Sequence, residues 1–349
     1  RELTGPVRVA ILSPPWFPVP PSGYGGIEWI VALLADGLAE AGHEVTLFAS
    51  GDSRPRHAAL ASIFETAPSE HIGETWWDLR HVLSCFVRQD EFDVVNDHSG
   101  MLAALAGGAL RVPLVHTVHG PLDGEPGEVY ERICAVSPRV KLISISLNQR
   151  RPKPDLPWLA NCPNALDFSV YPFSHRRDRK DYLLFLGRMS PDKGAHRAVA
   201  VAIETGLPLK IAGKCREPAE QRYFDELVRP HLGSRIEYVG EVSHGEKVEL
   251  LQHARATLFP IEWEEPFGLV MIESMACGTP VIATRWGAVP EVIEHGVNGV
   301  IVDDYRSIPA ALEEADRLDP EEVRRYAEQH FSPERMVADY LRAYRTAVA

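Results

Sequence analysis

The sequence predicts an α/β protein made of two doubly wound domains, each built on a parallel sheet. The chain has 349 residues, which is more than one hydrophobic core usually serves. Short β-branched runs alternate with amphipathic stretches, and this is the pattern of βαβ units. The alternation stops at a proline-rich segment near the middle and then restarts. We therefore expect two such domains facing each other across a cleft.

The individual elements follow from this alternation. In the first half, five β-branched runs predict strands at residues 7–13, 45–49, 92–96, 114–118 and 141–145. Amphipathic stretches between them predict helices at residues 27–41, 76–89 and 126–135. In the second half, runs that are each followed by a helical pattern predict strands at residues 182–186, 209–212, 236–239, 257–260, 281–283 and 300–302. Ligands of such sheets bind beside the carboxyl ends of the strands.

The segment between the two halves is predicted to be a connection. It contains five prolines followed by the charged run 175–181, the prolines being Pro152, Pro154, Pro157, Pro163 and Pro172. Proline has no N–H to donate to a strand ladder, so this segment is a poor sheet interior. We therefore place the first domain at residues 1–167 and the second at residues 168–332.

Composition and charge exclude several classes of protein. Hydrophobic residues make up 45% of the chain and charged residues 24%. The net charge of −13 is acidic, and this disfavours a nucleic-acid binder. The five cysteines are scattered, which indicates reduced thiols and a cytoplasmic location. No apolar run has the length of a membrane span. The basic cluster Arg176, Arg177, Arg179 and Lys180 offers a peripheral contact with anionic lipid, but we favour a solvated linker.

A glycine-rich loop, Gly23-Tyr24-Gly25-Gly26, lies between the first predicted strand and the first predicted helix. Glycines allow close backbone approach to a ligand, and the N-terminus of a helix offers N–H groups to anions. The loop does not have the G-x-G-x-x-G spacing of a dinucleotide site. A plain tight turn and an anion-binding loop both remain open.

Two cations mark the start of the second half. Arg188 and Lys193 flank the turn Gly187–Gly194, between a predicted strand and a helix. A forked guanidinium and a compact ammonium beside a helix N-terminus suit a diphosphate. The alternative is a pair of surface cations beside a loop.

Two glutamates follow the predicted strand 257–260. Glu265 precedes a helix, and Glu273 lies within that helix among apolar residues. A carboxylate in apolar surroundings is unusual unless it is paired or binds a polar ligand, and two carboxylate oxygens suit vicinal sugar hydroxyls. The alternatives are a first-turn acid for Glu265 and a salt-bridged helix residue for Glu273. Eight residues at helical rise place Glu265 and Glu273 about 12 Å apart. This is more than the separation of the two catalytic carboxyl groups in glycoside hydrolases.

Among the 14 histidines, His98 and His119 stand where predicted strands end, and His116 lies within a strand. We expect His116 to be a structural hydrogen-bonding residue. The spacing of the histidines in the sequence does not indicate the three or four ligands that a zinc site needs, so we predict no metal site.

These motifs together resemble the retaining glycosyltransferases of family 4, which have the GT-B fold of two Rossmann-like domains. The resemblance covers nearly the whole chain, from the glycine loop to Gly287 and Pro290-Glu291. Its most specific part is the Glu265…Glu273 pair in the sequence Glu-Glu-Pro-Phe-Gly, joined to Arg188 and Lys193.

The resemblance implies roles for these residues. Arg188 and Lys193 would bind the diphosphate of a nucleotide-sugar donor and stabilise it as it leaves. Glu273 would hold the ribose, and Glu265 would face the transferred sugar. His119 would contact the sugar near its 6-position. The remaining donor contacts would come from Gly25, Gly26, Val242, Phe267, Gly268 and Leu269. The resemblance also implies front-face transfer without a metal or other cofactor, and a last helix, within residues 333–349, that crosses back to the first domain.

The sequence departs from the family pattern at two places and leaves the acceptor open. The family's Asn-Gly motif before the linker reads Asn164-Ala165 here, and Lys214 follows a strand where the family often has a glycine-rich turn. Lys214 would add a phosphate or sugar contact.

Aromatic residues in the first half favour a carbohydrate or other hydroxyl acceptor. They are Trp16, Phe17, Tyr24, Trp29, Trp76 and Trp77.

Three alternatives to sugar transfer remain at this point. They are an epimerase or a phosphorylase on the same fold, and a catalytically silent sugar-nucleotide-binding subunit. A UDP-, GDP- or ADP-sugar is equally compatible with the sequence, because base contacts in this family come largely from the main chain. The sequence indicates no oligomeric state.

Overall fold

The computed structural model describes residues 5–23, 25–175 and 178–349. Tyr24 of the glycine loop and Arg176 and Arg177 of the basic cluster therefore lie outside the described residues. The chain divides into two units. Unit 1 comprises Arg1–Leu166 together with Pro333–Ala349, and unit 2 is Asp167–Ser332.

Unit 1 is built on a parallel sheet with the strand order β3-β2-β1-β4-β5-β6-β7. Its described strands are β1 (Arg8–Leu12), β2 (Glu44–Phe48), β3 (Ala59–Ala61), β4 (Val94–Asp97), β5 (Leu114–Thr117), β6 (Lys141–Ser144) and β7 (Trp158–Asn161). Its described α-helices are α1 (Gly26–Glu40), α2 (Thr75–Phe86), α3 (Met101–Ala106), α4 (Glu125–Val136) and α12 (Pro333–Val348). The central strands β4 and β5 are buried along their whole length, as expected for a parallel sheet that helices cover on both faces.

The last helix, α12, completes the core of unit 1. Tyr340 and Tyr344 on this helix are fully buried. Val337 packs against α1 at Gly37, where an added Cβ would lie 2.6 Å from the valine methyl group. A glycine at this position therefore lets the two helices approach closely.

Unit 2 repeats the architecture with a parallel sheet in the order β10-β9-β8-β11-β12-β13. Its described strands are β8 (Leu183–Leu186), β9 (Leu209–Ala212), β10 (Ile236–Gly240), β11 (Ala256–Phe259), β12 (Val281–Thr284) and β13 (Gly299–Val302). Its described α-helices are α5 (Ala195–Thr205), α6 (Pro218–Leu227), α7 (His244–His253), α8 (Leu269–Ala276), α9 (Val289–Val292), α10 (Ile308–Asp316) and α11 (Pro320–His330).

The predicted fold class is confirmed, since both units are parallel-sheet α/β folds. The proline-rich segment, predicted to be a connection and a poor sheet interior, also contains a strand that was not predicted. Strand β7 lies inside it and pairs in parallel with β6 at the edge of the sheet. An edge strand tolerates a neighbouring proline because one side of its ladder is unpaired. Here Pro157 directly precedes the strand, and its carbonyl accepts a hydrogen bond from Leu142 N–H.

Candidate functional site

The two cations of the second half lie on the loop that follows β8 in unit 2. Arg188 Nη2 is 3.3 Å from Asp192 Oδ2, and its Nε is 3.9 Å from Glu220 Oε1. The Lys193 ammonium donates to Glu265 Oε2 and lies 4.9 Å from the centre of the Trp263 ring. Both cations are thus held by carboxylates at the carboxyl edge of the sheet. The ion pairs are compatible both with a diphosphate site and with the alternative of two surface cations beside a loop.

Glu265 is buried on the loop between β11 and α8. Both of its described donors, Lys193 and the indole N–H of Trp263 at 3.1 Å, contact the same oxygen, Oε2. No described residue donates a hydrogen bond to Oε1. The carboxylate is therefore held in place through one oxygen and retains a second oxygen that can accept hydrogen bonds.

Glu273 repeats this arrangement on α8. Its Oε1 accepts a hydrogen bond from Tyr171 Oη at 3.1 Å and pairs with Lys247 Nζ at 2.9 Å. Within the described chain, Oε2 has no partner. The salt bridge considered as the structural alternative is present, yet it occupies only half of the carboxylate. Each glutamate therefore keeps one oxygen available for a hydroxyl group.

The start of α8 lies between these two glutamates in the sequence. Gly268 is its N-cap residue with φ 90°, and a Cβ there would lie 2.7 Å from Met271 Cε. Glycine accepts this left-handed backbone without strain. The first N–H groups of a helix have no intrahelical acceptor and carry the positive end of the dipole. The Phe267–Leu269 backbone therefore offers donors to an anion or a sugar oxygen.

A buried arginine that the sequence analysis missed connects the two loops of the site. Arg197 on α5 donates from Nε to Pro260 O at 2.5 Å, and from Nη2 to Pro191 O at 2.9 Å and Asp192 O at 3.1 Å. The Arg197 guanidinium thus links the loop that carries Lys193 to the end of β11, from which the chain continues to Glu265. In sequence, Arg197 looks like any polar residue of an amphipathic helix, so only the fold reveals this role.

Lys214 follows β9 and lies beside the Arg188 loop, where Met189 N–H donates to its carbonyl at 3.0 Å. Its Nζ lies 3.4 Å from Glu220 Oε1, the same oxygen that faces Arg188. Glu220 therefore gathers both cations on neighbouring strand ends. Val242 lies just after β10 and is half-buried, at the same carboxyl edge of the sheet.

The predicted site residues of unit 1 lie at the carboxyl ends of its strands. Gly25 is the N-cap residue of α1, with φ 147°, and Gly26 begins that helix. His119 follows β5, and its Nε2 is 2.9 Å from Nδ1 of the buried His98. Burial and the nearby His116 lower the pKa of His119 to about 3, so its imidazole is neutral at physiological pH.

Glu28 is a further group in unit 1 that the sequence analysis missed. It is buried in the first turn of α1, and a Cβ on Gly25 would lie 2.8 Å from its Oε2. Burial raises the pKa of its carboxyl to about 7, so the carboxyl is partly protonated at neutral pH. The apolar pattern of the helix conceals this group in the sequence.

His116 has the structural role predicted for it. It is buried between Asp97 Oδ2, at 2.5 Å from Nδ1, and Tyr130 Oη, at 2.7 Å from Nε2. Among the described residues, no group of three or more histidine, cysteine, aspartate or glutamate side chains is arranged to hold a metal ion.

Glycine at position 287 is required by the position of Glu265. Gly287 has φ 54°, and a Cβ there would lie 2.5 Å from Glu265 O. We expect Gly287→Ala to lower the free energy of unfolding by about 2–5 kcal/mol, because left-handed strain and overlap add. Thermal melting measures the loss. Gly233→Ala is the matched control, since Gly233 is exposed and a Cβ there meets nothing within 4 Å. Equal melting temperatures for the two variants would contradict the close packing.

Two family models match the chain. The model for glycosyl transferases group 1 matches residues 168–329, and the model for Glycosyltransferase Family 4 matches residues 24–165. Glycogen synthase of Mycobacterium tuberculosis is 28% identical over 332 residues, which cover 80% of this chain and 79% of the relative.

Solved structures agree with these matches. AviGT4, a glycosyltransferase involved in avilamycin A biosynthesis, is 29% identical with a TM-score of 0.69, covering 98% of both chains. HepE of Anabaena, solved in complex with UDP and glucose, is 19% identical with a TM-score of 0.74, covering 96% of this chain and 98% of its own. The second likeness shows a shared fold. In the described part of the chain, no helix combines the length and apolar character needed to cross a membrane.

Proposed function

Because this chain belongs to the GT-B glycosyltransferases of the family 4 type, which use nucleotide sugars, we propose that it transfers a hexose from a nucleoside diphosphate sugar to a hydroxyl group with retention of anomeric configuration. The observation that carries this proposal is the arrangement around α8. Arg188 and Lys193 are gathered at the carboxyl edge of the unit 2 sheet, and Glu265 and Glu273 each keep one oxygen without a described partner. A diphosphate and two sets of sugar hydroxyls fit this combination of groups.

The donor would enter by exchanging ion pairs. In the structure, Arg188 faces Asp192 and Glu220, and Lys193 faces Glu265. A diphosphate carries more charge than a single carboxylate and accepts several charge-assisted hydrogen bonds at once. We propose that it draws both cations toward itself, and that the sugar then hydrogen-bonds Glu265 while the ribose hydroxyls bind Oε2 of Glu273.

The transfer step would need positioning and charge stabilisation more than a protein base. In front-face attack, the acceptor hydroxyl gives its proton to an oxygen of the leaving phosphate as the glycosidic bond forms and the sugar–phosphate bond breaks. Arg188, Lys193 and the N-terminus of α8 would stabilise the negative charge that develops on the diphosphate. We propose that these groups supply the positive charge without a metal ion.

The acceptor would be a carbohydrate or another hydroxyl compound, bound by unit 1. A pocket of about 390 Å³ in this unit is lined by Trp16, Asp78, Met101 and Leu102 among others. Burial raises the pKa of Asp78 to about 6, and the Trp16 ring beside the carboxyl groups of Glu74 and Asp78 suits a polyhydroxylated ligand. We also propose a cytoplasmic location, which the five free thiols support.

Turnover with UDP-, GDP- and ADP-glucose in the presence of EDTA tests this proposal. UDP-glucose is the first donor to try, because HepE is a structural neighbour solved with UDP and glucose. With a panel of carbohydrate acceptors, we expect product of retained configuration in the anomeric proton NMR spectrum, and an unchanged rate with EDTA. Inverted product would contradict the proposed stereochemistry. Nucleotide binding with neither transfer nor hydrolysis would instead indicate a silent binding subunit.

A further inference from the structure

The guanidinium of Arg197 in unit 2 has an acceptor for every one of its N–H groups. An arginine carries five such donors in one rigid plane. Three of them go to backbone carbonyls, which are those of Pro191, Asp192 and Pro260. The other two are on Nη1, which lies 3.2 Å from Glu262 Oε2 and 3.4 Å from His196 Nε2. All five donors are therefore used, although only 4% of the residue is exposed.

The position of Arg197 in the chain works against the stability of its helix. It is the third residue of α5, whose N-cap residue is Gly194. The N-terminus of a helix carries the positive end of the dipole and disfavours a cation, and a buried charge costs free energy unless it is paired. Among the described residues, the exposed Glu262 is the one carboxylate that pairs with this charge. Helix formation therefore does not account for an arginine at this position.

The turn before α5 leaves room for this guanidinium. Gly194 has φ 83°, and a Cβ there would lie 2.5 Å from Arg197 Nη2 and 2.6 Å from Pro260 O. Glycine at this position therefore lets the guanidinium reach from α5 past the turn to the end of β11. A backbone hydrogen bond of 3.2 Å runs beside it, from Glu262 N–H to Asp192 O. The loops that follow the neighbouring strands β8 and β11 are thus joined at two points.

These links act directly beside the cation that the proposed function uses. Asp192 precedes Lys193 in the chain, and Pro260 begins the loop that carries Glu265. We propose that Arg197 is a positioning residue, which fixes the loop of Lys193 against the end of β11 so that the Lys193 ammonium stays beside Glu265 and is presented to the donor diphosphate. The identity of this anion rests on the proposed function. The link between the two loops does not, because it is present without a ligand.

The link between the loops can be tested without a ligand. Arg197→Lys keeps the charge, but an ammonium offers three donors from one point and cannot bind both loops as the planar fork does. We expect the Glu262 amide, whose acceptor is Asp192 O, to exchange its hydrogen about tenfold faster in this variant. Arg255→Lys is the matched control, since Arg255 precedes β11 at the opposite end of the strand and pairs with Asp316. The control should exchange at the wild-type rate, and equal exchange in wild type and Arg197→Lys overturns the inference.

The effect on catalysis is tested by a double-mutant cycle with Lys193. We expect Arg197→Lys to lower kcat for transfer about tenfold, because misplacing a charge costs part of what its removal costs. In a Lys193→Met background, the same substitution should lower kcat less than about twofold, since the group that Arg197 positions is already absent. Arg255→Lys should keep kcat unchanged in both backgrounds. An arginine that only stabilises the fold would cost the same factor in both, and this result overturns the inference.

A measurement on the wild type remains decisive if the lysine variant folds poorly. In nitrogen NMR of arginine-labelled protein, a guanidinium fixed by five acceptors gives separate signals for Nη1 and Nη2 of Arg197. A single averaged signal shows free rotation and overturns the inference. If no donor supports transfer, the proposed function fails, while hydrogen exchange and NMR still decide whether Arg197 joins the loops. If transfer occurs but the cycle with Lys193 shows no coupling, only this inference fails.

Discussion

We expect replacement of Lys193 with methionine to lower kcat for sugar transfer by about 10²–10³-fold, the typical cost of removing one group that stabilises developing negative charge. Methionine keeps most of the length of the side chain and removes its charge, so the leaving diphosphate would lose one of its two proposed cations. The donor concentration is kept saturating, because the effect is expected mainly on the chemical step. Initial rates of nucleotide release measure it.

Lys141→Met is the matched control for this experiment. Lys141 is exposed at the amino end of β6 in unit 1, whereas Lys193 contacts Glu265 at the carboxyl edge of unit 2. The control variant should keep the wild-type rate. A Lys193→Met variant that melts like the wild type and turns over at more than a tenth of its rate would show that Lys193 is only a surface cation.

We expect the second large effect from replacing Glu265 with glutamine, a loss in kcat/KM of about 10²-fold. The amide keeps the shape of the side chain, but it presents only one acceptor oxygen and no charge to Lys193 and Trp263, which both donate to Oε2. Satisfying these donors with the remaining oxygen leaves an NH₂ group where the sugar hydroxyls need an acceptor. Kinetics with the donor varied at fixed acceptor measure the loss.

The Glu265 experiment has a control and an internal check. Glu226→Gln, on the exposed face of α6, should keep wild-type kinetics. Because Glu265 and Lys193 share an ion pair, the double variant should lose less than the product of the two single losses. Fully multiplicative losses would contradict the direct coupling between the two residues.

The fold was predictable because its signal is local. Central strands of a parallel sheet are buried on both faces, so they appear as continuous apolar runs such as β8 and β12, and the structure has them at the expected places. Strand β7 was missed because prolines surround it, and β3 was missed because its three residues are mostly exposed. Helix α3 has only six residues, too few to establish a helical period.

The candidate site was predictable where a motif lies within one loop or helix. Arg188, Lys193, Glu265 and Glu273 stand out in the sequence through their spacing and through charge beside apolar residues. Arg197 did not, because its role depends on two loops that only the fold brings to one guanidinium. The partners of Glu273 are likewise distant in sequence, 26 residues away for Lys247 and 102 for Tyr171. Tertiary pairing of this kind leaves no periodic signal.

The central claim is that unit 2 binds a nucleoside diphosphate through these residues, and a thermal-shift titration with UDP, GDP and ADP tests it most directly. A ligand at 100 times its dissociation constant adds about 2.7 kcal/mol to the free energy of unfolding, or several degrees in melting temperature for a unit of this size. We expect at least one nucleotide to produce this shift in the wild type, and a much smaller shift in Glu273→Gln. Unchanged melting of the wild type with all three nucleotides would contradict the account.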